Sequence, residues 1–469
     1  MQCLIWGYPI HGTSAALDML KTLRGTPWAK NLSRENAEAL MTFFRGGSWY
    51  YRDGYRLPCL DRGSYVYCDK ESAIPYRNML RDVVDNWKES FTPAEQAELE
   101  QLLAEVESRR IRMEGYAGGV YQGTRWFFNN DDLMKHTADY HLMVNMASVR
   151  CDGLESADFA DNYNFYPTDG MTLFQRRGDE YFRIMGGWDV TASPGVTARE
   201  GMDRLVPVTN WRGYCSRHNF AAGAADGGDY AAGGYIFEKM YGPDKENPGY
   251  KGGHPKKNAL LYGFKAYKGY FILGDYLVAL GAGVTNLEPE QEGNIRTTLD
   301  QTARMSPVYL LEKGRKKPLP MGVTTLDARQ LKNAWIVQEG QFAYRALPDY
   351  QSDLHVACEN RPADWARMNE QNRQRKDLPA EVPVLRLWTD HGRTPVADTY
   401  GYAVYLGQGE PARKLPFEVL RNDTLVQAVR SADRKVIGAV FYPEAPALEA
   451  KGLKLEAVSY THLTLPTIA

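Results

Sequence analysis

The chain has 469 residues, with 56 Lys and Arg against 58 Asp and Glu and a formal net charge of −2. This balance provides no basic surplus of the kind that binds nucleic acid, and the length suffices for two or three domains that each bury a core. No run of about 18 apolar residues occurs, so the sequence predicts no membrane-spanning helix.

The first 115 residues have the spacing of helices. Apolar residues recur at helical intervals over 17–23, and Ser33 is placed to cap a second helix. The sequence Thr92-Pro93-Ala94-Glu95 combines a capping Thr, a Pro at the first helical position and a Glu three residues after the cap, which predicts a further helix start. The apolar residues expected on the buried faces of these two capped helices are Ala37, Leu40, Met41, Phe44, Leu99, Leu102, Leu103 and Val106.

After Gly115 the pattern changes to short apolar runs separated by Gly, Pro, Asn and Asp, which is typical of strands and turns. Residues 146–197 pack aromatics, acids and glycines into such runs and predict an antiparallel sheet with a polar, aromatic face. A helical block followed by an antiparallel β block predicts the α+β class, with the helices packed on a large sandwich. The predicted strands cover residues 139–150, 171–175, 181–186, 259–273, 276–281, 333–338, 341–346, 384–389, 401–406 and 436–442.

The six cysteines are scattered, with no Cys-x-x-Cys pair and no zinc-like spacing with histidine, so the sequence predicts no tetrahedral metal site. Cys59 and Cys68 could pair across a loop, although free buried thiols are favoured. The 30 tyrosines and 10 tryptophans suit surfaces that stack on sugar rings and suit an aromatic-rich β-core equally well.

Both ends of the chain have unusual sequences. Met1 is followed at once by an apolar, aromatic run, as if the sequence began inside a folded domain, and the chain does not open with a charged-then-apolar secretion signal. Residues 458–467, VSYTHLTLPT, resemble a translated sequencing adapter, so residues 458–469 are set apart as a non-native tail. We therefore expect the chain to be a fragment.

A series of short motifs runs through the β region in a recognisable order. Residues 146–197 contain Glu155-Ser156, Asp169-Gly170-Met171-Thr172, Glu180-Tyr181, Trp188-Asp189 and Pro194-Gly195-Val196-Thr197. Further along come 219–223 (NFAAG), 280–284 (LGAGV), 297–301 (TTLDQ), 389–392 (TDHG), 400–404 (YGYAV) and 422–429 (NDTLVQAV). Together they resemble polysaccharide lyase family 8, whose members cleave hyaluronan, chondroitin and xanthan.

The resemblance implies a fold for each part of the chain. Members of the family have an incomplete α/α toroid, then an antiparallel β super-sandwich and a smaller C-terminal β-domain. We therefore predict the C-terminal part of the toroid at 1–115, the super-sandwich at 116–412 and the start of the small domain at 413–457.

The implied reaction is β-elimination at C4 of a uronic acid, which removes the C5 proton. This step needs a donor that neutralises the carboxylate, a base, and an acid for the leaving oxygen. In the family an Asn and a His face the carboxylate, a Tyr is base and then acid, and an Arg holds the Tyr phenolate and the substrate. The scheme requires no metal or cofactor.

Three residues take the implied catalytic roles. Alignment of the helix at 17–23 and of Thr26-Pro27-Trp28 with the family makes Tyr8 the general base. Arg62, at the position of the family's Arg-Gly turn, is the cation that favours its phenolate, and Glu155 in the β region matches a glutamate that orients this Arg. Taken alone, Tyr8 beside Trp6 would be core packing more often than not. His11 is an alternative base three residues away, although capping or local packing is the favoured interpretation.

Other residues are expected to contact the substrate. Trp211 matches a sugar-stacking tryptophan, although burial is an equal alternative, and Asp158 stands where family members often carry Asn. Asn129, with Asn130 and His136, precedes the first long strand and is expected to line the cleft. Val66 replaces the family's second Arg, so contacts in that subsite must differ.

The implied His and Asn would fall upstream of Met1. Loss of one such donor costs about 2.7–4 kcal/mol in the transition state, so we expect this polypeptide to be weakly active or inactive. The alternative function is a non-catalytic carbohydrate-binding β-protein derived from such a lyase. As partner we expect an acidic polysaccharide and not nucleic acid or membrane, and we expect a monomer in the periplasm or outside a bacterial cell.

Overall fold

The computed structural model describes residues 8–58, 74–107, 121–148, 169–201, 215–240 and 263–456, the last range without 330, 332, 348, 351, 352, 369 and 451. In this part of the chain the helices are α1 (Tyr8–Thr22), α2 (Arg34–Gly47), α3 (Ile74–Trp87), α4 (Pro93–Glu107) and the short α5 (Trp365–Met368). No helix among these residues is long and apolar enough to cross a membrane.

The predicted helix starts are confirmed by their caps. The Ser33 hydroxyl accepts a hydrogen bond from the Asn36 amide at the start of α2. At the start of α4 the Thr92 amide donates to the Glu95 carboxylate at 2.9 Å, and the Glu95 amide donates to the Thr92 hydroxyl at 3.3 Å. This reciprocal pair satisfies two amides that have no partner within the helix.

The strands account for most of the remaining described chain. They are β1 (Tyr51–Arg52), β2 (Tyr55–Arg56), β3 (Gly123–Phe127), β4 (Asp132–His136), β5 (His141–Asn145), β6 (Met171–Gln175), β7 (Thr197–Arg199), β8 (Cys215–Ser216), β9 (Ala221–Ala225), β10 (Tyr230–Met240), β11 (Phe264–Leu273), β12 (Tyr276–Asn286), β13 (Ile295–Ala303), β14 (Val308–Glu312), β15 (Arg315–Pro318), β16 (Gly322–Asp327), β17 (Trp335–Gln338), β18 (Ala343–Ala346), β19 (Asp353–Pro362), β20 (Glu381–Asp390), β21 (Asp398–Tyr405), β22 (Phe417–Asn422), β23 (Val426–Ser431), β24 (Ile437–Phe441), β25 (Ala447–Ala450) and β26 (Leu453–Glu456).

These strands form antiparallel sheets. A large sheet has the order β15-β14-β17-β18-β21-β12-β11-β10-β8, with β9 also paired to β10, and a second has the order β16-β19-β20-β13-β7. A four-stranded sheet, β3-β4-β5-β6, and a C-terminal three-stranded sheet, β22-β23-β24, complete the larger layers. Helices followed by antiparallel sheets confirm the predicted α+β class.

The four-stranded sheet lies between the helices and the large sheet, so β4 and β5 are buried on both faces. Met134 and Met143 join the core that contains the helices, including Phe44, Leu80 and Trp87. Leu133 and Leu142 on the opposite face join the core under the large sheet. Since side chains alternate along a strand, each polar side chain of β4 and β5 points into one of these two cores.

The predicted strand at 181–186 is wrong, because Phe182–Gly187 forms a 3₁₀ helix. The Glu180 carboxylate accepts the amides of Arg176, Arg177 and Gly178, which closes the chain into a turn. The apolar side chains that follow are then buried in different directions instead of alternating. Within 146–197 the described strands are therefore β6 and β7.

Candidate active site

The face of the four-stranded sheet that looks toward the helices is organised in three rows across the strands. The register places Phe127, Asp132, Asn145 and Met171 in one end row, and Arg125, Met134, Met143 and Leu173 in the middle row. Gly123, His136, His141 and Gln175 form the other end row. The middle row is apolar except at the edge strand, whereas both end rows place polar groups against the helical part.

A buried hydrogen-bonded cluster occupies the first end row. The Tyr50 hydroxyl donates to Asp132 Oδ2 at 2.6 Å and accepts from Asn130 Nδ2 at 3.1 Å. The Asn145 side-chain amide donates to the other Asp132 oxygen. Burial raises the pKa of Asp132 to about 7, although the bonds from Tyr50 and Asn145 oppose the shift. We call Tyr50, Asn130, Asp132 and Asn145 the seam cluster.

The seam cluster lies where two long connections leave the described structure. The Asp131 carboxylate accepts the Ser148 hydroxyl at 2.6 Å, and the Gly170 amide donates to the Asn145 carbonyl at 2.9 Å. The connection between β5 and β6 therefore leaves and re-enters the sheet beside Asp132. The predicted residues Glu155 and Asp158 belong to this connection.

The second connection, residues 59–73, lies within the helical part of the chain and also begins beside the seam cluster. The Leu57 amide donates to the Tyr50 carbonyl at 2.9 Å, which returns the β1–β2 hairpin to the seam cluster just before residues 59–73. The Arg52 guanidinium donates to the carbonyls of Thr137 at 2.8 Å and Arg176 at 3.2 Å. A β-carbon at Gly178 would collide with the Arg52 carbonyl, so glycine permits this docking. The predicted Arg62 lies in this second connection.

The predicted site residues are placed to different extents. Tyr8 is the first residue of α1, and its side chain is not among those described. Arg62, Glu155, Asp158 and Trp211 lie outside the described residues. Convergence of Tyr8, Arg62 and Glu155 in one cleft thus stays a prediction.

Asn129 lies in the turn between β3 and β4, where it is exposed. It sits directly before Asn130 of the seam cluster. The neighbouring Phe128 is also exposed, with 60% of its surface accessible. Contact of Asn129 with a substrate stays a prediction.

His136 was expected to line the cleft, but it is only 2% exposed, so that expectation is wrong. Its ring centroid is 5.0 Å from that of His141, and its Nε2 is 4.0 Å from the Glu105 carboxylate. Burial, with a smaller contribution from Arg52, lowers the pKa of His136 to about 3. Burial also lowers the pKa of His141. β4 is covered on both faces, so a side chain that points to either face is buried, and His136 therefore does not reach the cleft.

The seam cluster itself was not predicted beyond Asn130. Tyr50 lies in an aromatic run with no strand or helix period, and its partners Asn130 and Asp132 are 80 and 82 residues away in sequence. The available signal was the run of two asparagines and two aspartates at 129–132, directly after an aromatic strand end. Among the described residues, no group of three or more His, Cys, Asp or Glu side chains is arranged to hold a metal ion.

Comparisons with known proteins agree with this architecture. The family description "Polysaccharide lyase family 8, super-sandwich domain" matches residues 122–414. Chondroitinase-AC of Pedobacter heparinus is 28% identical over 460 residues, which cover 94% of this chain and 57% of that protein. The chain therefore spans little more than half the length of this relative.

Two solved structures show the same fold. A chondroitinase AC lyase studied as enzyme–oligosaccharide complexes has a TM-score of 0.74 at 24% identity, covering 95% of this chain and 59% of that one. A Paenibacillus xanthan lyase has a TM-score of 0.73 at 16% identity, covering 95% of this chain and 43% of that one. The family match over more than half of the residues, together with this fold, shows that the chain belongs to polysaccharide lyase family 8.

Proposed function

We propose that the protein represented by this chain cleaves a uronic-acid-containing polysaccharide, such as the glycosaminoglycans chondroitin sulfate or hyaluronan, by β-elimination. Tyr8 acts as general base and then as general acid, Arg62 stabilises its phenolate, and Glu155 orients Arg62. Trp211, Asp158 and Asn129 contact the sugar chain. The scheme uses no cofactor and no metal.

The observation that carries the proposal is the position of the seam cluster within a member of this family. Tyr50 is followed by the hairpin that leads to the connection with Arg62, and Ser148 begins the connection with Glu155. The 2.6 Å Tyr50–Asp132 hydrogen bond links the residue before the hairpin to β4, and the adjacent Asp131 binds Ser148. A site built from both connections would therefore have a rigid, buried foundation, which precise catalytic geometry requires.

The proposed roles follow from the acidity of the groups. A tyrosine hydroxyl with a pKa of about 10 is a weak base at neutral pH unless a cation stabilises its phenolate. The C5 proton becomes acidic only when the uronate carboxylate is neutralised, because the developing negative charge spreads onto it. The resemblance implies a His and an Asn for this neutralisation, at positions before Met1. A protein that lacks either donor is expected to be slower by about a hundredfold or more than one that contains both.

The test is formation of unsaturated uronate, measured by ultraviolet absorbance, with chondroitin sulfate, dermatan sulfate, hyaluronan and xanthan as substrates. It uses this polypeptide and a longer version that contains the residues upstream of Met1. Tyr8→Phe should abolish product in the longer version, because it removes the proton-transferring oxygen. Tyr267→Phe is the matched control, since Tyr267 packs against Tyr442 on the other side of the large sheet.

Absence of product from the longer protein on all four polymers would rule out the lyase proposal. Binding of these polymers without any product would favour the alternative, a carbohydrate-binding β-protein derived from a lyase. The same panel identifies the substrate. We further propose that the protein acts as a monomer in the periplasm or outside the cell, where such polymers are accessible.

A further inference from the structure

The edge strand β3 and its following turn form an open aromatic surface beside the seam cluster. Phe127 packs against Trp49 and Tyr50, with ring centroids at 6.0 and 5.5 Å. Phe128 follows in the turn with 60% of its surface accessible, and Asn129 beside it is also exposed. An exposed aromatic ring beside exposed polar groups offers an apolar face on which a sugar ring can stack.

The turn that carries Phe128 is held rigidly. The Asn130 amide donates to the Phe127 carbonyl at 3.0 Å, and the Asn130 side chain donates to the Tyr50 hydroxyl at 3.1 Å. The Asp131 carboxylate, two residues later, accepts the Ser148 hydroxyl. Phe128 is therefore exposed from a fixed backbone and not from a free loop end, so little entropy would be lost when a ligand covers it.

Arg125 extends the same surface with a positive charge. Its side chain is exposed and lies on the helix-facing side of β3. The guanidinium carbon lies 4.6 Å from the Phe127 ring centroid and 5.8 Å from that of Trp49. Among the described residues, no carboxylate forms an ion pair with Arg125.

The aromatic rings exclude water from part of the Arg125 guanidinium and do not replace the hydrogen bonds that this water would accept. This partial burial lowers the pKa of Arg125 from its ordinary value, and the nearby Tyr50 only partly opposes the shift. By contrast, Arg34 is paired with Glu95 and Arg45 with Glu98. A stacked guanidinium with no carboxylate partner in the described part of the chain is well suited to receive an anion from a ligand, because it presents several fixed donors.

We propose that Arg125, Phe128 and Asn129 form a shelf that binds one acidic sugar unit of the polysaccharide at the edge of the active-site cleft. The uronate carboxylate or the sulfate of that unit pairs with Arg125. The apolar face of a sugar ring lies on Phe128, and Asn129 offers its amide to the sugar hydroxyls. The shelf thus favours acidic over neutral polymers. This inference rests on the proposed function, since it takes the ligand to be a polysaccharide.

The experiment measures binding of chondroitin sulfate, hyaluronan and neutral dextran to the full chain by titration calorimetry at low ionic strength. Arg125→Gln should weaken binding of the two acidic polymers about tenfold, as expected for loss of one charge-assisted hydrogen bond. Arg125→Lys should recover part of this loss. Phe128→Ala should weaken binding about threefold to tenfold, as expected for loss of an aromatic contact.

Arg315→Gln is the matched control, because Arg315 is an exposed arginine of the same charge on the edge strand β15. It should leave binding unchanged within about twofold. Thermal unfolding of each variant checks the fold, and Phe128→Ala tests the shelf at a side chain that is mostly exposed.

The outcomes separate the shelf from the proposed function. Equal binding by the wild type, Arg125→Gln and Phe128→Ala would overturn the shelf and leave the lyase proposal standing. An equal loss in Arg125→Gln and Arg315→Gln would also overturn the shelf, because net charge alone would then explain the effect. No binding of either acidic polymer by the wild type, with no product from the longer protein, would overturn both.

Discussion

Lys268 of β11 provides the most direct test of the electrostatics of this fold. Its side chain is fully buried, and its ammonium group donates to the Gly195 carbonyl at 2.7 Å and to the Asp169 carbonyl at 3.4 Å. Burial lowers the pKa of Lys268 from 10.5 to about 7, with a smaller opposing contribution from Asp169. Lys268 thus holds the point at which the connection that contains Glu155 re-enters the sheet.

The sign of the effect follows from the two pKa values. The unfolded chain keeps the Lys268 proton up to about pH 10.5, whereas the folded protein releases it from about pH 7. Between these values the unfolded state binds more protons, so the free energy of unfolding rises with pH. Between pH 7 and pH 9 this single group should contribute a rise of about 2 kcal/mol. The contribution disappears when the group is removed.

The assay is urea unfolding of the wild type and of Lys268→Met at several pH values from 7 to 9. The difference between the two free energies of unfolding should change by about 2 kcal/mol over this range, with the wild type gaining as the pH rises. Lys265→Met is the matched control, because Lys265 lies on the same strand and is only partly buried. Parallel curves for the wild type and Lys268→Met would refute the argument.

Three further predictions concern the helical part and the interface beneath it. Thr92→Ala should lower the free energy of unfolding by about 1 kcal/mol in urea titrations, because it removes one half of the reciprocal cap with Glu95; an unchanged midpoint would contradict this. Tyr50→Phe should cost about 1.5–3 kcal/mol at pH 8, where Asp132 is charged and needs its donor, and less at pH 5, where Asp132 is protonated; a loss independent of pH would argue against a charged Asp132. His136→Gln should make the protein less sensitive to acid, because the wild-type imidazole has a pKa of about 3 when folded and about 6.5 when unfolded. The wild type should therefore lose about 2 kcal/mol between neutral pH and pH 5 that the variant keeps, and identical acid unfolding of the two would show that His136 is not the group responsible.

Local sequence features predicted the elements whose causes are local. The caps at Ser33 and Thr92 and the strand at 171–175 depend on residues within a few positions of each other. The 3₁₀ helix at Phe182–Gly187 was missed because its cause is a buried carboxylate, Glu180, that captures three amides. An apolar run has the same appearance in the sequence whether or not a carboxylate redirects the chain before it.

The candidate site also has a part that the sequence predicted and a part that only the structure revealed. Motif order identified the family and named Tyr8, Arg62 and Glu155, which stay predictions, whereas the seam cluster and the shelf became visible only in three dimensions. His136 illustrates the limit, since its polar neighbourhood in the sequence suggested a cleft and its strand is in fact covered on both faces.

The sequence by itself determined the class of the fold, the starts of two helices, the strand at 171–175 and the family, because periodicity, caps and motif order are properties of neighbouring residues. Tertiary structure alone decided that Tyr50 meets Asp132 across 82 positions, that Lys268 is buried against Gly195 and that Arg125 remains without a carboxylate partner among the described residues. These depend on which faces become covered when helices and sheets pack, and that covering sets the burial and the pKa of each group.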